Sequence, residues 1–564
     1  MSYAAAASTI VAQMLALPEF ARVQALFPEA GLDEATLQDI VGGAAAIAEG
    51  VIAPFGAQAD RIGCRLEQGR VKLAPGHHAA WTAFVEGGWT TIEGAPEWGG
   101  AGLPMIVHSA CEELVNRASP AFGMLPTPMR CATRVIERYA DPALRAEWAP
   151  RLVSGEWAAT ICISEADAGS DVPRLRTMAV PQSDGTWRVT GEKIWISFGD
   201  HDLTPRIAHM VLARTPDAAP GSAGLSLFLV PSDHAGQRNA VIVRRIEEKL
   251  GLHGSPTCAL GFEDAVGHLI GTPGRGLAHL FTMIIGMRLS VGSQGAGLAG
   301  AAASLAWRYA AERRQGGKAD APPVSIDHHG DVQRLLLGLA ARAEVTRGLV
   351  LTASALSDLQ AREADEAART EAGLLLAWLL PITKNFAAEA ASLCANDAIQ
   401  VLGGAGYTRE WPAERYLRDA RVLAIYEGTS GMQALDLALR RVLGDEGRAY
   451  QAFLAKARAD QARLGNATLG ILLDRLEQAA ASLDKAGATI VAYPFLQLAS
   501  LATTAWIAAR LAALTGTPTH DHLGALGRHW LILAEAQARA EAALTAQGAD
   551  LTGAFPAIQR DCLG

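Results

Sequence analysis

Apolar residues recur every three or four positions along most of the chain, which is the spacing of one buried face of an α-helix. In the first 155 residues such segments alternate with Gly/Pro loops, as in the series Leu37, Ile40, Ala44, Ile47 and Val51. Beyond Gly276 the same period returns in longer stretches, at about 277–314, 327–361, 371–401 and 429–443. Helices of these lengths are typical of a bundle with antiparallel neighbours.

The pattern changes between about Ala158 and Ile270, where short β-favouring runs are separated by turn residues. These runs begin at Trp187, Ile194, Met210, Leu225 and Ala240. We interpret Trp187–Asp202 as a hairpin whose turn is Gly191-Glu192. A separate β domain is therefore predicted in the middle of the chain.

Further amphipathic segments follow the break at Gly444–Gly447, at about 449–487, 492–514 and 521–547. The predicted fold class is α+β, mainly α. Its predicted parts are an N-terminal helical domain (1–155), a middle β-barrel-like domain (156–272), a helical bundle (273–444) and a C-terminal helical extension (445–564).

Composition agrees with a mainly helical protein, since 50% of the residues are hydrophobic but only 6% are aromatic, so Ala and Leu supply most of the core. The 49 Lys and Arg residues are outnumbered by 58 Asp and Glu, which gives a formal net charge of -9. Nucleic-acid binding is not expected, because it requires a basic surface.

The cysteine pattern and the apolar runs favour a soluble cytoplasmic protein without a membrane span. Seven widely spaced cysteines include no C-x-x-C pair, which fits a reducing compartment. Met1–Leu15 lacks the basic n-region and the uninterrupted apolar core of a secretory signal, and the apolar run Ala372–Ile382 is too short to cross a bilayer. No metal site is expected, because His77-His78 and His328-His329 have no further ligands at suitable spacing.

Two segments near the β domain are candidates for ligand binding. Ile161–Asp171 contains small and hydroxyl-bearing residues, so its backbone could approach a ligand closely; it could equally be a turn that caps itself. Strand alternation places Trp195 and Ser197 on one face, where they could flank a planar heterocycle. A tryptophan on a strand is also a common core residue.

Two further candidates lie among the later helices. Gly403, Gly404 and Gly406 follow a long helix instead of a strand, so they are not a dinucleotide fingerprint and could simply end that helix. Tyr426–Thr429 places Glu427 in a loop before a helix that Thr429 or Ser430 can cap. Glu427 either complements the helix dipole or acts as a general base on an apolar segment.

Together and in this order, the four motifs resemble the acyl-CoA dehydrogenase family. Family-like segments also occur at Pro96–Pro104, Lys249–Thr257 and Trp411–Arg421, and the resemblance covers about residues 35–443. The segment His253–Thr257, the segment 431–436 and the helical extension are similar to the longer bacterial branch that contains 3-methylmercaptopropionyl-CoA dehydrogenase.

The resemblance implies FAD as cofactor and Glu427 as catalytic base; some relatives carry the base just before an arginine, but here Met287 precedes Arg288. The implied FAD-binding residues are Ile161, Ile163, Ser164, Gly169, Trp195, Ser197, Arg313, Gln400, Gly403, Gly404 and Thr429. The implied substrate-binding residues are Ser170, Arg288 and Gly428. In the family, positions matching Arg313, Gln400, Gly403 and Gly404 reach FAD in a neighbouring subunit, which implies a homodimer or a dimer of dimers.

The implied reaction is oxidation of an acyl-CoA thioester to the enoyl-CoA, with α-proton abstraction by Glu427 and β-hydride transfer to flavin N5. An ordinary carboxylate, with a pKa of about 4.3, is a weak base for this step, but loss of surrounding water raises such a pKa. An electron-transfer flavoprotein is the expected electron acceptor. The alternatives are an acyl-CoA oxidase that uses oxygen and a nonenzymatic, flavin-binding, nucleic-acid-associated relative.

Two departures from the family pattern concern the flavin contacts. Ser164-Glu165-Ala166 stands where the family usually has Thr-Glu-Pro, and Gln315-Gly316 stands where it has Phe-Gly.

The nucleic-acid-associated branch carries a basic C-terminal domain, whereas residues 445–564 contain ten Lys and Arg against eleven Asp and Glu. The charge of this segment therefore does not favour that alternative.

Overall fold

The computed structural model describes residues 2–563, and the chain forms two compact units. The helical unit comprises Met1–Gly42, Pro104–Glu113 and Val291–Gly564. The sheet-containing unit comprises Gly43–Leu103 and Leu114–Ser290. The C-terminal extension and the helical bundle thus belong to the same compact unit.

The chain is mainly helical, with its strands concentrated between residues 158 and 270, as expected from the hydrophobic period. The helices are α1 (Tyr3–Leu15), α2 (Pro18–Leu26), α3 (Glu34–Ile47), α4 (Ala53–Ile62), α5 (His77–Glu86), α6 (Met105–Ala118), α7 (Pro120–Gly123), α8 (Pro126–Tyr139), α9 (Pro142–Val153), α10 (Gly276–Glu312), α11 (Gly330–Arg362), α12 (Glu366–Leu402), α13 (Ala413–Arg421), α14 (Ser430–Leu435), α15 (Arg448–Leu464), α16 (Ala467–Ala481), α17 (Ala488–Ala512), α18 (Pro518–Ala546) and α19 (Phe555–Leu563). The strands are β1 (Arg65–Glu67), β2 (Arg70–Lys72), β3 (Ala158–Cys162), β4 (Met178–Pro181), β5 (Trp187–Ser197), β6 (Ile207–Arg214), β7 (Leu225–Pro231), β8 (Asp233–His234), β9 (Gln237–Arg238), β10 (Val241–Ile246) and β11 (Thr257–Ile270).

Seven strands form one sheet in the order β10-β11-β5-β4-β6-β3, and β7 pairs with both β11 and β6. The sheet therefore curls back on itself through β7. Its inner face is an apolar cluster that includes Val189, Ile196, Val211, Phe228 and Leu260, which stabilises the curl by removing these side chains from water. The predicted fold class, mainly α with a central barrel-like β domain, is confirmed.

The predicted hairpin at Trp187–Asp202 is wrong, because β5 runs through Gly191 without turning and pairs with β11 over most of its length. A Cβ atom at Gly191 would lie 2.4 Å from Thr177 Oγ1. Glycine is therefore needed here for close approach of a neighbouring segment and not for a turn. A glycine within a β-favouring run is the sequence signal both for a turn and for a close approach.

The single helix predicted at about 449–487 is in fact two helices. Gly465 adopts a left-handed conformation with φ +62° and ends α15. Asn466 then caps α16, because its side chain accepts a hydrogen bond from the Leu469 N–H at 2.9 Å. This glycine and asparagine pair is a strong helix stop and start signal.

The extension is bound to the rest of the helical unit by buried polar contacts. Trp378 on α12 donates its indole N–H to Thr503 Oγ1 on α17 at 3.2 Å. Arg510, also on α17, binds Glu19 at 3.0 Å and Asp460 at 2.8 Å. The extension thus contributes to the core of this unit instead of forming a separate appendage.

Three helical stretches, Glu34–Ile62, Gly276–Glu312 and Ala488–Ala512, are long and apolar enough to cross a membrane by length and composition alone. In the last of these, 83% of the most apolar window is buried inside the structure, so its composition is explained by packing. The absence of a membrane span stays a prediction. The six cysteines whose side chains are described are free thiols.

Candidate active site

The candidate residues are divided between the two compact units. The sheet-containing unit holds Ile161, Ile163, Ser164, Gly169, Ser170, Trp195, Ser197 and Arg288. The helical unit holds Arg313, Gln400, Gly403, Gly404, Glu427, Gly428 and Thr429.

The chain leaves β3 at Cys162 and forms a tight turn in which Glu165 and Ala168 exchange two backbone hydrogen bonds, of 3.2 and 3.1 Å. Ala168 is buried, whereas Gly169 and Ser170 are exposed. No atom lies within 4 Å of the position that a Cβ of Gly169 would occupy. The space beside Gly169 is therefore open, so a ligand could approach the backbone closely there.

Strand β5 holds this turn in place. Lys193, whose side chain is fully buried, donates to the Ile163 carbonyl at 2.9 Å and to Glu165 Oε1 at 2.8 Å. The Ile194 N–H also donates to the Ser164 carbonyl at 3.0 Å. Thus the first half of the candidate flavin segment, Ile161–Ser164, lies directly beside β5.

The ionisation of this pair is set by burial and by the charges themselves. Burial acts to raise the pKa of Glu165, but Lys193 and the Thr177 and Arg176 donors outweigh it, so that the pKa is lowered. Burial lowers the pKa of Lys193, against the opposing effect of Glu165. Burial also raises the pKa of the neighbouring Cys162 to about 12, so Cys162 is a neutral thiol and not a nucleophile.

Trp195 is a surface residue, with 59% of its area exposed, so it does not serve the core. Its φ is +65°, and it lies on a β-bulge where Ile194 and Trp195 oppose the single residue Ala259 of β11. Bulges commonly re-aim a side chain next to a functional site. An exposed indole, next along the strand to the residue bonded to Ser164, fits the flat apolar ring and polar edge of a flavin.

Two of the remaining candidates lie on helix α10 or just after it. Arg288 is partly buried on α10. Arg313 follows the end of α10, is exposed, and donates to Gln315 Oε1 at 3.0 Å. The guanidinium of Arg313 is therefore available to a ligand at the surface of the helical unit.

Gln400, Gly403 and Gly404 are exposed at the end of α12. The Gly403 N–H donates to the Gln400 carbonyl at the end of the helix, and Gly403 has φ +61° and ψ −137°, a backbone conformation that glycine adopts readily. No atom lies within 4 Å of the Cβ position of Gly403 or Gly404. The helix-ending role explains Gly403, and the surroundings of both glycines are open.

The loop Tyr426–Thr429 lies between α13 and α14. Glu427 and Gly428 are both left-handed, with φ +53° and +90°, and Glu427 is partly buried. Thr429 is the cap of α14, since its Oγ1 accepts from the Met432 N–H at 3.3 Å. Thr429 therefore caps α14 as expected, and Glu427 has a left-handed backbone that is unfavourable for a non-glycine residue, a kind of strain that is concentrated at functional sites.

The buried side chains of Lys384, Gln433 and Gln294 contact this loop. None of these contacts was predicted from the sequence. Lys384 on α12 and Gln433 on α14 donate to backbone carbonyls of the loop. The hydroxyl of Tyr426 donates to Gln294 Oε1, and burial together with the Glu427 charge raises the pKa of that hydroxyl well above its ordinary value. The sequence does contain one signal of this site, because Lys384 is a lone lysine within the apolar stretch that ends at Phe386, and a buried lysine is rare without a partner.

Three family models match consecutive parts of the chain: the acyl-CoA dehydrogenase N-terminal domain over residues 34–156, the middle domain over 160–265 and the C-terminal domain over 274–442. These matches define a flavin-dependent oxidoreductase that acts on CH–CH bonds. The chain belongs to the acyl-CoA dehydrogenase family and is an enzyme with FAD as its cofactor.

Comparisons with individual relatives support this family assignment. The chain is 39% identical to 3-methylmercaptopropionyl-CoA dehydrogenase of Ruegeria pomeroyi, over 81% of this chain and 82% of that protein. It is 33% identical to the broad-specificity linear acyl-CoA dehydrogenase FadE5 of Mycobacterium tuberculosis, over 74% and 71% of the two chains. The fold matches that of an acyl-CoA dehydrogenase from Bacillus anthracis complexed with FAD, with a TM-score of 0.74, 21% identity and coverage of 90% and 87%.

Proposed function

We propose that this enzyme oxidises an acyl-CoA thioester to the α,β-unsaturated enoyl-CoA, with Glu427 as the base that removes the α-proton. The observation that carries the proposal is the backbone of Glu427, a non-glycine residue with φ +53° in a loop whose helix is already capped by Thr429. Such strain at a carboxylate is characteristic of functional sites.

Proton removal from a thioester requires the base to be oriented and shielded from water. Glu427 accepts the α-proton on a carboxylate oxygen, and removal of water by the bound acyl-CoA makes that oxygen a stronger base. Hydrogen bonds to the thioester oxygen stabilise the negative charge that develops there. The backbone N–H of Glu427 is the donor that this chain would contribute.

Ile161, Ile163, Ser164, Gly169, Trp195 and Ser197 would hold FAD on the sheet-containing unit. Bound FAD supplies the acceptor for the hydride that leaves the β-carbon. The open turn at Gly169 and the exposed indole of Trp195 support this assignment. Arg313, Gln400, Gly403 and Gly404 would contact FAD in a neighbouring subunit, and Thr429 is also assigned to FAD. Ser170, Arg288 and Gly428 would contact the substrate.

The partners follow from the same proposal. We expect an electron-transfer flavoprotein to reoxidise the enzyme, and a homodimer or a dimer of dimers to supply Arg313 and the glycine loop to a neighbouring FAD. We also expect the enzyme to be cytoplasmic. For the acyl group, the relatives named above support testing both thioether-containing and straight-chain acyl-CoAs.

The central test is the substitution Glu427→Gln, compared with Glu410→Gln, which changes an exposed glutamate of the same unit. Glu427→Gln should retain yellow FAD but lose flavin bleaching by acyl-CoA under anaerobic conditions, by about 10³-fold or more. Glu410→Gln should bleach at the rate of the unaltered enzyme. Near-normal bleaching by Glu427→Gln would remove Glu427 from the reaction.

A panel of acyl-CoAs in the same assay identifies the substrate class. Straight-chain acyl-CoAs of increasing length are compared with 3-methylmercaptopropionyl-CoA, and the ratio of bleaching rate to apparent dissociation constant ranks them. The reduced enzyme is then exposed to air. Slow reoxidation supports a dehydrogenase that uses a protein acceptor, whereas rapid reoxidation supports the oxidase alternative.

A further inference from the structure

We propose that Lys384 and Gln433 are positioning residues for the base, because together they hold the two consecutive backbone carbonyls of Glu427 and Gly428. This inference rests on the proposed role of Glu427. Neither side chain is assigned any contact with substrate or FAD; they act through the loop that carries the carboxylate.

The two donors approach the loop from different elements. Lys384 lies in the middle of α12, and its Nζ donates to the Gly428 carbonyl at 2.6 Å. Gln433 lies in the first turns of α14, and its Nε2 donates to the Gly428 carbonyl at 3.1 Å and to the Glu427 carbonyl at 3.3 Å. The Gly428 carbonyl therefore receives two donors, and Gln433 bridges both carbonyls.

Both side chains are fully buried, with 0% of their surface exposed. Burial of an ammonium group is energetically unfavourable unless strong hydrogen bonds compensate. A bond from a charged donor is about twice as strong as a neutral one. Lys384 directs a buried hydrogen bond at a loop carbonyl, and this bond favours one conformation of the loop.

The loop needs that control because its conformation is intrinsically unfavourable. A left-handed backbone is unfavourable at a non-glycine residue because the Cβ atom crowds the following carbonyl oxygen, and Glu427 adopts one. Rotation of the peptide between Glu427 and Gly428 would redirect the Gly428 N–H and the Glu427 carbonyl, and would relax the turn that aims the carboxylate. A displacement of about 1 Å at a reacting group can lower a rate about 10²-fold.

The packing around Gly428 supports the same conclusion. A Cβ atom at Gly428 would lie 2.7 Å from Gln433 Nε2. The glutamine amide therefore fits closely against a residue that has no side chain, and Gly428 has a φ of +90° that only glycine adopts readily. The bridging amide and the glycine form one close-fitting arrangement.

The test uses Lys384→Met and Gln433→Met, which keep an unbranched side chain of similar length and remove the donor. Thr503→Val is the matched control, because it removes a buried hydrogen bond from Trp378 on the same helix as Lys384. Each purified holoenzyme is examined for FAD content, melting temperature and anaerobic flavin bleaching rate. The dissociation constant for a non-oxidisable acyl-CoA thioether is also measured, from the flavin spectrum.

We expect both Met variants to lose about 30-fold in bleaching rate, which corresponds to about 2 kcal/mol, with less than about a threefold change in the analogue's dissociation constant. Thr503→Val should have a lower melting temperature and a bleaching rate within about twofold of the unaltered enzyme. Should Lys384→Met fail to fold, the Gln433→Met comparison alone decides, since it tests the carbonyl bridge directly.

The outcomes separate this inference from the proposed function. If Glu427→Gln abolishes bleaching but both Met variants bleach normally, Glu427 is the base and the positioning role is wrong. If Thr503→Val loses bleaching as strongly as the Met variants, the loss reflects general destabilisation, and the positioning role is again wrong. If Glu427→Gln bleaches normally, the proposed function itself fails.

Discussion

Lys193 Nζ lies 2.8 Å from Glu165 Oε1 and 2.9 Å from the Ile163 carbonyl, so a single buried ammonium group joins strand β5 to the turn that follows β3. Together with the backbone bond from the Ile194 N–H to the Ser164 carbonyl, this contact joins both candidate flavin elements of the sheet-containing unit, the turn and the strand with Trp195. The ion pair thus stabilises the arrangement of the two segments that are proposed to bind FAD.

The first prediction concerns this ion pair. Lys193→Met should lower the free energy of unfolding by about 3 kcal/mol, because it leaves the Glu165 carboxylate without its charged partner. The Thr177 and Arg176 donors to Glu165 remain, so the loss should lie near the lower end of the range for buried pairs. FAD content after purification should fall as well, because the turn then keeps only the backbone bond from the Ile194 N–H to the Ser164 carbonyl as its hydrogen bond to β5.

The control for that prediction is the double variant Lys193→Met with Glu165→Gln. Removing both charges avoids an uncompensated one, so the double variant should be more stable than the sum of the single losses predicts. Urea unfolding followed by tryptophan fluorescence measures the free energy of unfolding of Lys193→Met, Glu165→Gln and the double variant. Strictly additive losses would show that the two groups do not interact energetically.

The second prediction concerns Trp195. Trp195→Ala should weaken FAD binding about tenfold, because stacking of an aromatic side chain on a heterocycle contributes about 1–3 kcal/mol. Since Trp195 is 59% exposed, the melting temperature of the FAD-free protein should change little. FAD binding is measured by quenching of flavin fluorescence.

Ile242→Ala is the matched control, because Ile242 is an exposed apolar residue on β10 of the same sheet. It should leave FAD binding unchanged. Equal affinities for FAD in the Trp195→Ala and Ile242→Ala proteins would argue that the indole does not contact the flavin.

The long helices could be predicted closely from sequence because their hydrophobic period is sustained over many turns. The stretch predicted at 277–314 is α10, Gly276–Glu312, and that predicted at 371–401 is α12, Glu366–Leu402. Strand β11 was not recognised, since Gly261, Gly267 and a bulge at Asp264, with φ +63°, interrupt its pattern. Its β character comes from pairing with three other strands, which local sequence does not encode.

The residues of the candidate site likewise differ in whether the sequence alone can predict them. Glu427 and Trp195 could be singled out because they occur in short motifs whose residues are adjacent in the chain. Lys384 could not, because it contacts Gly428 across a separation of 44 residues, and only the packing of α12 against the loop brings them together. Residues that position a base are set by tertiary structure, whereas the base itself is part of a local motif.

The last prediction concerns pH. His209 is fully buried in the sheet, with its Nδ1 2.9 Å from Thr160 Oγ1, and burial lowers its pKa to about 3. An unfolded histidine binds a proton below about pH 6.5, but native His209 does not until the pH approaches 3. Its neutral, buried state therefore contributes fully to stability above about pH 6.5, and this contribution is lost as the pH falls toward 3.

Stability of the enzyme should accordingly decline between pH 6.5 and 4, and His209→Asn should make this decline shallower by up to about 1.4 kcal/mol per pH unit. Urea unfolding at pH 7, 6, 5 and 4 measures the slope for each protein. His234→Asn is the control, because His234 is exposed on the sheet-containing unit, and it should keep the slope of the unaltered enzyme. Parallel slopes for His209→Asn and the unaltered enzyme would mean that His209 is protonated in the native state, and so is accessible to water despite its position in the sheet.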